Sequence, residues 1–308
     1  MFTRSQFLSG LVGAVVLPPA REGARESEKA PCVYRKASLS VGAEKPFSVL
    51  HISDTHLVVL TEAEKAASEW RGKYYARRHD GKFRNAERHL ADAIAYASER
   101  RMPLVHTGDL MDCPSDGNVE IVRRMVPPGS ILAAVGNHET CSRYFRGLSE
   151  KPEDLSRERS LSASRIASCW PNDGKFFAKV VSGVNFVMFD DSDYQIRAEV
   201  REGLECEFAV GLPVVLGCHI PICTPELLAS PIRMGKNPAM VCAPNAKGQE
   251  RPTADTVDAV EWLKSRPNLK AVLAGHLHAF WRGEIAPGVM QLVAGGHFKG
   301  SGYEILFS

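Results

Sequence analysis

The sequence predicts a layered α/β fold. Short apolar runs alternate with amphipathic stretches along the 308 residues, the pattern of strands and helices packed in layers. Five short polar motifs each follow directly on an apolar run, which puts reactive side chains where strands end. No internal repeat or low-complexity tract interrupts the series.

The first thirty residues stand apart. Arg4 precedes an apolar run from Phe7 to Leu17, followed by Pro18, Pro19 and Ala20. A positive start, a short apolar segment and a small residue describe a secretory signal. The run is shorter than the roughly 20 apolar residues of a membrane span, so no stable span is expected. TRSQFLSG also resembles a twin-arginine export signal, with Ser5 where the second arginine would stand. Arg21 to Ala30 is charged and lacks apolar periodicity, as a linker does. Residues 1–30 are therefore expected to be an export-signal-like segment with its linker, and residues 31–308 one domain. The protein is expected to be exported, periplasmic or secreted; a terminus that is never cleaved would leave it cytoplasmic or tethered.

Composition narrows the function classes. A hydrophobic content of 44% with 24% charged residues is that of a soluble globular protein. The formal net charge of +2 gives no sign of specific nucleic-acid or membrane-surface binding, so any attraction for an anionic substrate must be local. The eight cysteines (Cys32, Cys113, Cys141, Cys169, Cys206, Cys218, Cys223, Cys242) are scattered without a C-x-x-C pair, which argues against a thiolate zinc site. An even number would allow pairing in an oxidising compartment, and buried free thiols are the alternative.

Strands are expected over Phe47 to Ile52, Pro103 to Thr107, Ile131 to Val135, Asn185 to Phe189, Pro213 to Leu216 and Leu269 to Ala274, with three more β-like runs before Ser308. Helical periodicity covers Asn85 to Arg100 and Thr253 to Ser265, the second capped near Thr253 or Asp255. Leu57 to Phe83 and Ile222 to Arg251 read as long irregular stretches. Loops of that length are usually lids or binding loops.

The motifs carry the chemistry. Asp54 and His56 follow the first strand, two residues apart, and strand alternation would put both on one face. Asp109, after Gly108, could bridge two ions, with Asp112 three residues on. Gly136-Asn137-His138-Glu139 offers a neutral amide ligand beside a histidine able to act as an acid or phosphate binder. His219 ends another apolar run. Gly275-His276-Leu277-His278 sets two imidazoles two apart, a donor type suited to Zn, Fe, Mn and Ni alike. Each motif alone has an ordinary reading as a turn, a cap or a core histidine. Their coincidence at five strand ends points to a metal site, because ligands of open α/β sheets bind beyond the carboxyl ends of strands.

The ordered set D-x-H, G-D-x-x-D, G-N-H-E, H and G-H-x-H resembles the calcineurin-like metallophosphoesterase superfamily from Phe47 to His278. The resemblance implies a four-layer sandwich, two mixed β-sheets flanked by helices. It implies one divalent metal ion held by Asp54, His56, Asp109 and His278, and a second held by Asp109, Asn137, His219 and His276. The metals could be Mn, Fe, Zn or Ni. By the family pattern, Asp112 hydrogen-bonds His138 and keeps it protonated, so that His138 serves the leaving group or the phosphoryl oxygens. Three branches of the superfamily fit less well. Asp112 is followed by Cys113-Pro114 rather than Arg-Gly, Asp109 by Leu110-Met111 rather than tyrosine, and His138 is not arginine.

The expected activity is hydrolysis of a small-molecule phosphate ester, diester or monoester, by a metal-bound hydroxide held between the two ions. The alternatives are a pyrophosphatase acting on a nucleotide or lipid-linked diphosphate, a non-catalytic scaffold, and a metal-storage or sensing protein. Among the remaining histidines, His51 and His106 lie in apolar strands and read as core. His79 and His89 read as solvated, and His297 as a pocket or surface-turn residue. The basic, aromatic segment with Trp70, Arg71, Lys73, Tyr74, Tyr75, Arg77, Arg78, Lys82 and Arg84 could wall the substrate site, or be a solvated face.

Overall fold

In chain order the elements are β1 (Val33–Leu39), β2 (Phe47–Ile52), α1 (Glu62–Ala67), α2 (Glu69–Asp80), α3 (Ala86–Glu99), β3 (Leu104–Thr107), α4 (Asp116–Met125), β4 (Leu132–Ala134), α5 (Pro152–Ala167), β5 (Phe176–Val181) and β6 (Val184–Phe189). They continue with α6 (Ala198–Ala209), β7 (Val214–Gly217), α7 (Pro225–Ala229), α8 (Ala254–Lys264), β8 (Leu269–Ala274), β9 (Trp281–Ala286), β10 (Val289–Val293) and β11 (Ser301–Phe307). This computed structural model describes residues 31–140, 152–231, 239–244 and 251–308. The export-like segment expected at residues 1–30 lies outside the described residues, as does Cys141.

The strands form two sheets, ordered β1-β11-β2-β3-β4 and β5-β6-β7-β8-β10-β9. Both are mixed. β2, β3 and β4 run parallel while β11 is antiparallel to β2. In the second sheet β6, β7, β8 and β10 are parallel, and β5 and β9 pair antiparallel at the edges.

Why the strands read as continuous apolar runs is visible in β2. Val49 joins a core that also holds Val105, Leu132, Phe186, Val215, Leu273 and Phe307, drawn from both sheets. Its neighbours Leu50 and Ile52 point the other way, into a core with Leu90 and Ala93 of α3 and Val119 and Val122 of α4. Side chains alternate across a strand, so a strand buried on both faces must be apolar throughout. The second sheet repeats the arrangement: Val187 and Leu216 pack on Val200 and Leu204 of α6 and on Val260 and Leu263 of α8. Each such side chain contributes roughly 1.5–3 kcal/mol by leaving water. The result is helix, sheet, sheet, helix, the four-layer sandwich expected.

The two stretches expected to be irregular differ from that reading: the short helix α7 lies within residues 222–251, of which 232–238 and 245–250 are outside the described residues. Residues 57–83 are not irregular, because α1 and α2 fill much of the stretch. Thr61 and Glu64 form a capping box, with Thr61 Oγ1 accepting from Glu64 N at 3.2 Å and Glu64 Oε2 from Thr61 N at 2.9 Å. Glu64 Oε1 also accepts from Asp116 N at 2.8 Å, tying α1 to the start of α4. Ser68 caps α2. Two capped helices that bury few residues carry no apolar stripe, so periodicity does not announce them.

Thr253, not Asp255, caps α8. The seven described cysteines are free thiols. Among the described residues no helix is long and apolar enough to cross a membrane.

Candidate metal centre

All seven expected ligands lie just past the carboxyl ends of parallel strands. Asp54 and His56 follow β2, Asp109 follows β3, Asn137 follows β4, His219 follows β7, and His276 and His278 follow β8. They do not converge by strand alternation, as the two-residue spacings suggested. Asp54, His56, Asp109, His276 and His278 all have left-handed backbones, with φ of 57°, 54°, 54°, 69° and 52°. A non-glycine residue in that region costs on the order of 1–3 kcal/mol and persists only where its surroundings hold it.

The surroundings are specific. Asp54 N–H donates to Gly108 O at 2.9 Å and His56 N–H to Asp109 O at 2.8 Å, locking the first two loops together. Glu139, fully buried, accepts from the backbone N–H of Asp109, Met111 and Gly136 at 2.9, 2.7 and 2.7 Å. Burial and the neighbouring Asp109 charge push its carboxyl up to about 8, against the pull of the Met111 and Gly136 N–H groups. Asp191 does the same for the second sheet, its carboxylate accepting from His219 N at 2.9 Å and Ile220 N at 3.1 Å. Burial raises that carboxyl to about 7. Neither acid was marked as a site residue by its sequence context, since their work is on backbone donors.

Glycine is required at two of the turns by close approach. A Cβ on Gly136 would stand 2.3 Å from Asp109 Oδ1. One on Gly275 would stand 1.7 Å from Ser53 Oγ and 2.7 Å from Asp54 Oδ2. Gly275→Ala is therefore expected to lower stability by about 1–3 kcal/mol, the usual cost of overpacking. Denaturant titration checks it, and an unchanged midpoint would contradict the tight contact.

The donors meet in two groups. In the first, single ligand atoms of Asp54, His56, Asp109 and His278 all lie within 4.8 Å of one another. His56 Nε2 is 3.0 Å from His278 Nε2, 3.6 Å from Asp109 Oδ2 and 3.8 Å from Asp54 Oδ1. In the second, Asn137 Oδ1 is 3.1 Å from both His219 Nε2 and His276 Nδ1, and His219 Nε2 is 3.3 Å from Asp109 Oδ2. Asp109 Oδ2 thus faces both groups. Its other oxygen, Oδ1, accepts from His138 N–H at 2.9 Å.

Hydrogen bonding tests whether these residues fit metal ions. His56 Nδ1 is 2.9 Å from Asp112 Oδ1, an acceptor, so Nδ1 carries the proton and Nε2 presents its lone pair to the Asp54 and Asp109 carboxylates. His219 Nδ1 likewise meets Thr107 O at 2.8 Å. Lone pairs aimed at carboxylates and at an amide oxygen need a cation among them. Asp54 Oδ1, closed to solvent, stands 3.1 Å from His278 Nε2, so another carboxylate oxygen and imidazole nitrogen of the first group face each other. The field has the same sign: burial would lower His219, but the Asp109 carboxylate pushes it up to about 10, so a proton on Nε2 answers the same negative charge that a metal ion would answer in its place. The donor set, oxygen and imidazole without sulfur, fits divalent Mn, Fe, Zn or Ni.

Asp112 and His138 sit beside the first group. Asp112 Oδ1 is 3.1 Å from His138 Nδ1, which is also 3.1 Å from the Asp112 carbonyl. Burial would raise the Asp112 carboxyl, but hydrogen bonds from His138, His56 and Arg78 hold it well below the usual carboxylate range.

Other expectations shift. His51 and His106 are buried as expected, bonded to Thr107 Oγ1 at 2.9 Å and Thr55 Oγ1 at 2.8 Å beneath the site. His89 is not solvated: it is buried, with Nδ1 3.0 Å from Phe298 O. His297 reaches neither pocket nor surface, held instead between Ser301 O at 3.0 Å and His89 O at 2.9 Å. The basic stretch is not simply a solvated face. Lys73 is exposed, but Arg78 bonds Asp112, Lys82 Nζ lies 3.4 Å from His278 Nδ1, and buried Phe83 stacks on His56 at 4.7 Å between centroids.

This fold and centre define a class, an α/β sandwich with a candidate metal site between the strand ends of its two sheets. Residues 47–280 match the family model for calcineurin-like phosphoesterases, and the chain belongs to that family. The family and the buried Asp/His cluster together support a dinuclear divalent-metal hydrolase of phosphate esters. Comparison with curated proteins finds no match. Similar solved structures include a dimetal phosphatase from Danio rerio, 14% identical, covering 82% of this chain and 88% of that one with a TM-score of 0.48. A calcineurin-like phosphoesterase from Bacillus subtilis is 12% identical, with 82% of each chain covered and a TM-score of 0.43. A 5'-nucleotidase from Candida albicans is 13% identical over 87% of this chain and 48% of its own, with a TM-score of 0.37.

Proposed function

We propose that the protein hydrolyses small phosphate mono- or diesters at two divalent ions, one held by Asp54, His56, Asp109 and His278 and the other by Asp109, Asn137, His219 and His276. The observation that carries this reading is that Asp109 Oδ2 faces both donor groups, 3.6 Å from His56 Nε2 and 3.3 Å from His219 Nε2. When bound, the ions would supply Lewis acidity and lower the pKa of coordinated water.

The rest is the work of the chain. Asp54 and Asp109 set negative charge at the bottom of the site, and the left-handed turns aim their ligands before any substrate arrives. His138, with Nδ1 committed to Asp112, keeps Nε2 to give a proton to the departing ester oxygen. Its side chain is 22% exposed while His56 and Asp112 are closed to solvent, so His138 is the member of this trio that a substrate can reach.

A second reading, hydrolysis of a diphosphate, is favoured by Lys82. Its Nζ stands 3.4 Å from His278 Nδ1 and 4.5 Å from the Phe298 ring centre, and among the described residues no carboxylate pairs with it. An ammonium beside the metal ligands could take a further anionic group.

The test is hydrolysis of an aryl phosphomonoester, the matching diester and an alkyl diphosphate in Mn²⁺, with Asp109→Asn as control. Turnover of either simple ester above the control supports the first reading, and turnover of the diphosphate alone supports the second. No turnover of any, with metal bound, would contradict both.

A further inference from the structure

Arg78 belongs to α2, the second helix of the segment between β2 and α3, yet its guanidinium ends on the carboxylate of Asp112. We infer that Arg78 is a positioning residue for hydrolysis: its fork fixes the plane of the Asp112 carboxylate, so that one oxygen orients His56 and His138 together. The inference rests on the function proposed above.

The crowding on that oxygen is the main observation. Asp112 Oδ1 faces three donors: His56 Nδ1 at 2.9 Å, His138 Nδ1 at 3.1 Å and Arg78 Nη2 at 2.5 Å. Asp112 Oδ2 bonds Arg78 Nε. A guanidinium matches a carboxylate with two parallel N–H bonds, a geometry that lysine's point charge cannot reproduce. With both oxygens engaged by Arg78, rotation about the Cβ–Cγ bond is blocked. Without it, Oδ2 keeps no other hydrogen bond among the described residues, and the carboxylate is free to turn toward whichever imidazole holds it harder.

His138 is the one that loses. Its Nδ1 stands as close to the Asp112 backbone carbonyl as to the carboxylate, both 3.1 Å, so turning the carboxylate takes away the charged acceptor of the Nδ1 proton and leaves that proton to a weaker, neutral one. His56 is further secured by the ring of Phe83, stacked at 4.7 Å and 21°. Phe83 is also the ring over which the Arg78 guanidinium lies, 4.8 Å from its centroid, with Tyr74 at 5.5 Å on another side. The segment therefore delivers the guanidinium and the stacking ring as one unit. Asp112 is closed to solvent while Arg78 is a quarter exposed, so removing the Arg78 side chain opens a path by which a free guanidinium ion can reach the carboxylate.

The effect should fall on the chemical step. Misplacing a proton donor by about an ångström costs on the order of 10²-fold in rate, while a residue that touched substrate would act on KM. Arg78→Ala and Arg78→Lys are compared with wild type and with Lys73→Ala, a change on the exposed side of the same helix. In Mn²⁺, Arg78→Ala should lose about 10²-fold in kcat with KM and bound metal unchanged. Millimolar guanidinium should recover much of that loss, and Arg78→Lys should stay impaired without responding. Imidazole ¹⁵N spectra of the zinc-loaded protein, taken at a pH where the His138 imidazolium has given up its Nε2 proton, give a readout independent of turnover: the neutral ring holds its remaining proton on Nδ1 in the wild type and becomes a mixture of tautomers in Arg78→Ala.

A rise in KM at unchanged kcat would overturn the inference in favour of substrate contact. A loss that only follows the folded fraction, without rescue or tautomer change, would overturn it in favour of a plain structural tie. Should the wild type hydrolyse none of the three substrates, the proposed function fails, and the tautomer comparison alone decides the positioning role.

Discussion

Asp109→Asn is expected to abolish hydrolysis, by about 10³-fold or more in kcat/KM, which is about 4 kcal/mol of transition-state stabilisation. The substitution keeps the size of the side chain and the oxygen that accepts from His138 N–H. It removes a negative charge that faces both donor groups. The same charge pushes His219 up to about 10, so its loss should be felt by the second group as well as the first. Expected measurements are a metal content well below two equivalents and little change in secondary structure. Full metal content with turnover intact would show that Asp109 is not the shared ligand.

The second large effect belongs to His138→Ala. General acid catalysis by a placed side chain is worth roughly 10²–10⁴-fold, and the loss should depend on what leaves. A nitrophenolate needs little protonation, whereas an alkoxide needs a proton, so the variant should be hurt more on alkyl esters than on nitrophenyl esters. Metal content should be unchanged, because no donor of either group is removed. Equal losses on both ester types would point to stabilisation of the phosphoryl oxygens instead.

Much of this architecture is legible in the chain because burial on both faces forces the central strands to be apolar throughout. β2 and β8 stand where the runs FSVLHI and LKAVLA place them, and the helix over Ala86–Glu99 follows from Leu90 and Ala93 recurring on one face. Edge strands are harder to read. In β1, Lys36 is exposed and Arg35 lies over Phe280, so the run VYRKASL mixes charge with apolar residues and gives no clean signal.

The candidate ligand positions were visible in the motifs, but the reason for their convergence was not. Left-handed backbones at Asp54, His56, Asp109, His276 and His278 are imposed by contacts between loops far apart in sequence. Short-range spacing cannot report them. The same holds for Glu139 and Asp191, which act on backbone donors, and for Arg78 and Phe83, whose partners Asp112 and His56 lie across the fold. Only the segment's basic and aromatic character pointed toward the site.

The most direct test of the whole account is anomalous diffraction from crystals equilibrated with Mn²⁺. Two peaks are predicted, one among Asp54, His56, Asp109 and His278, the other among Asp109, Asn137, His219 and His276, with Asp109 Oδ2 between them. A single peak at saturating metal, or two peaks that share no ligand, would contradict a bridged dinuclear centre.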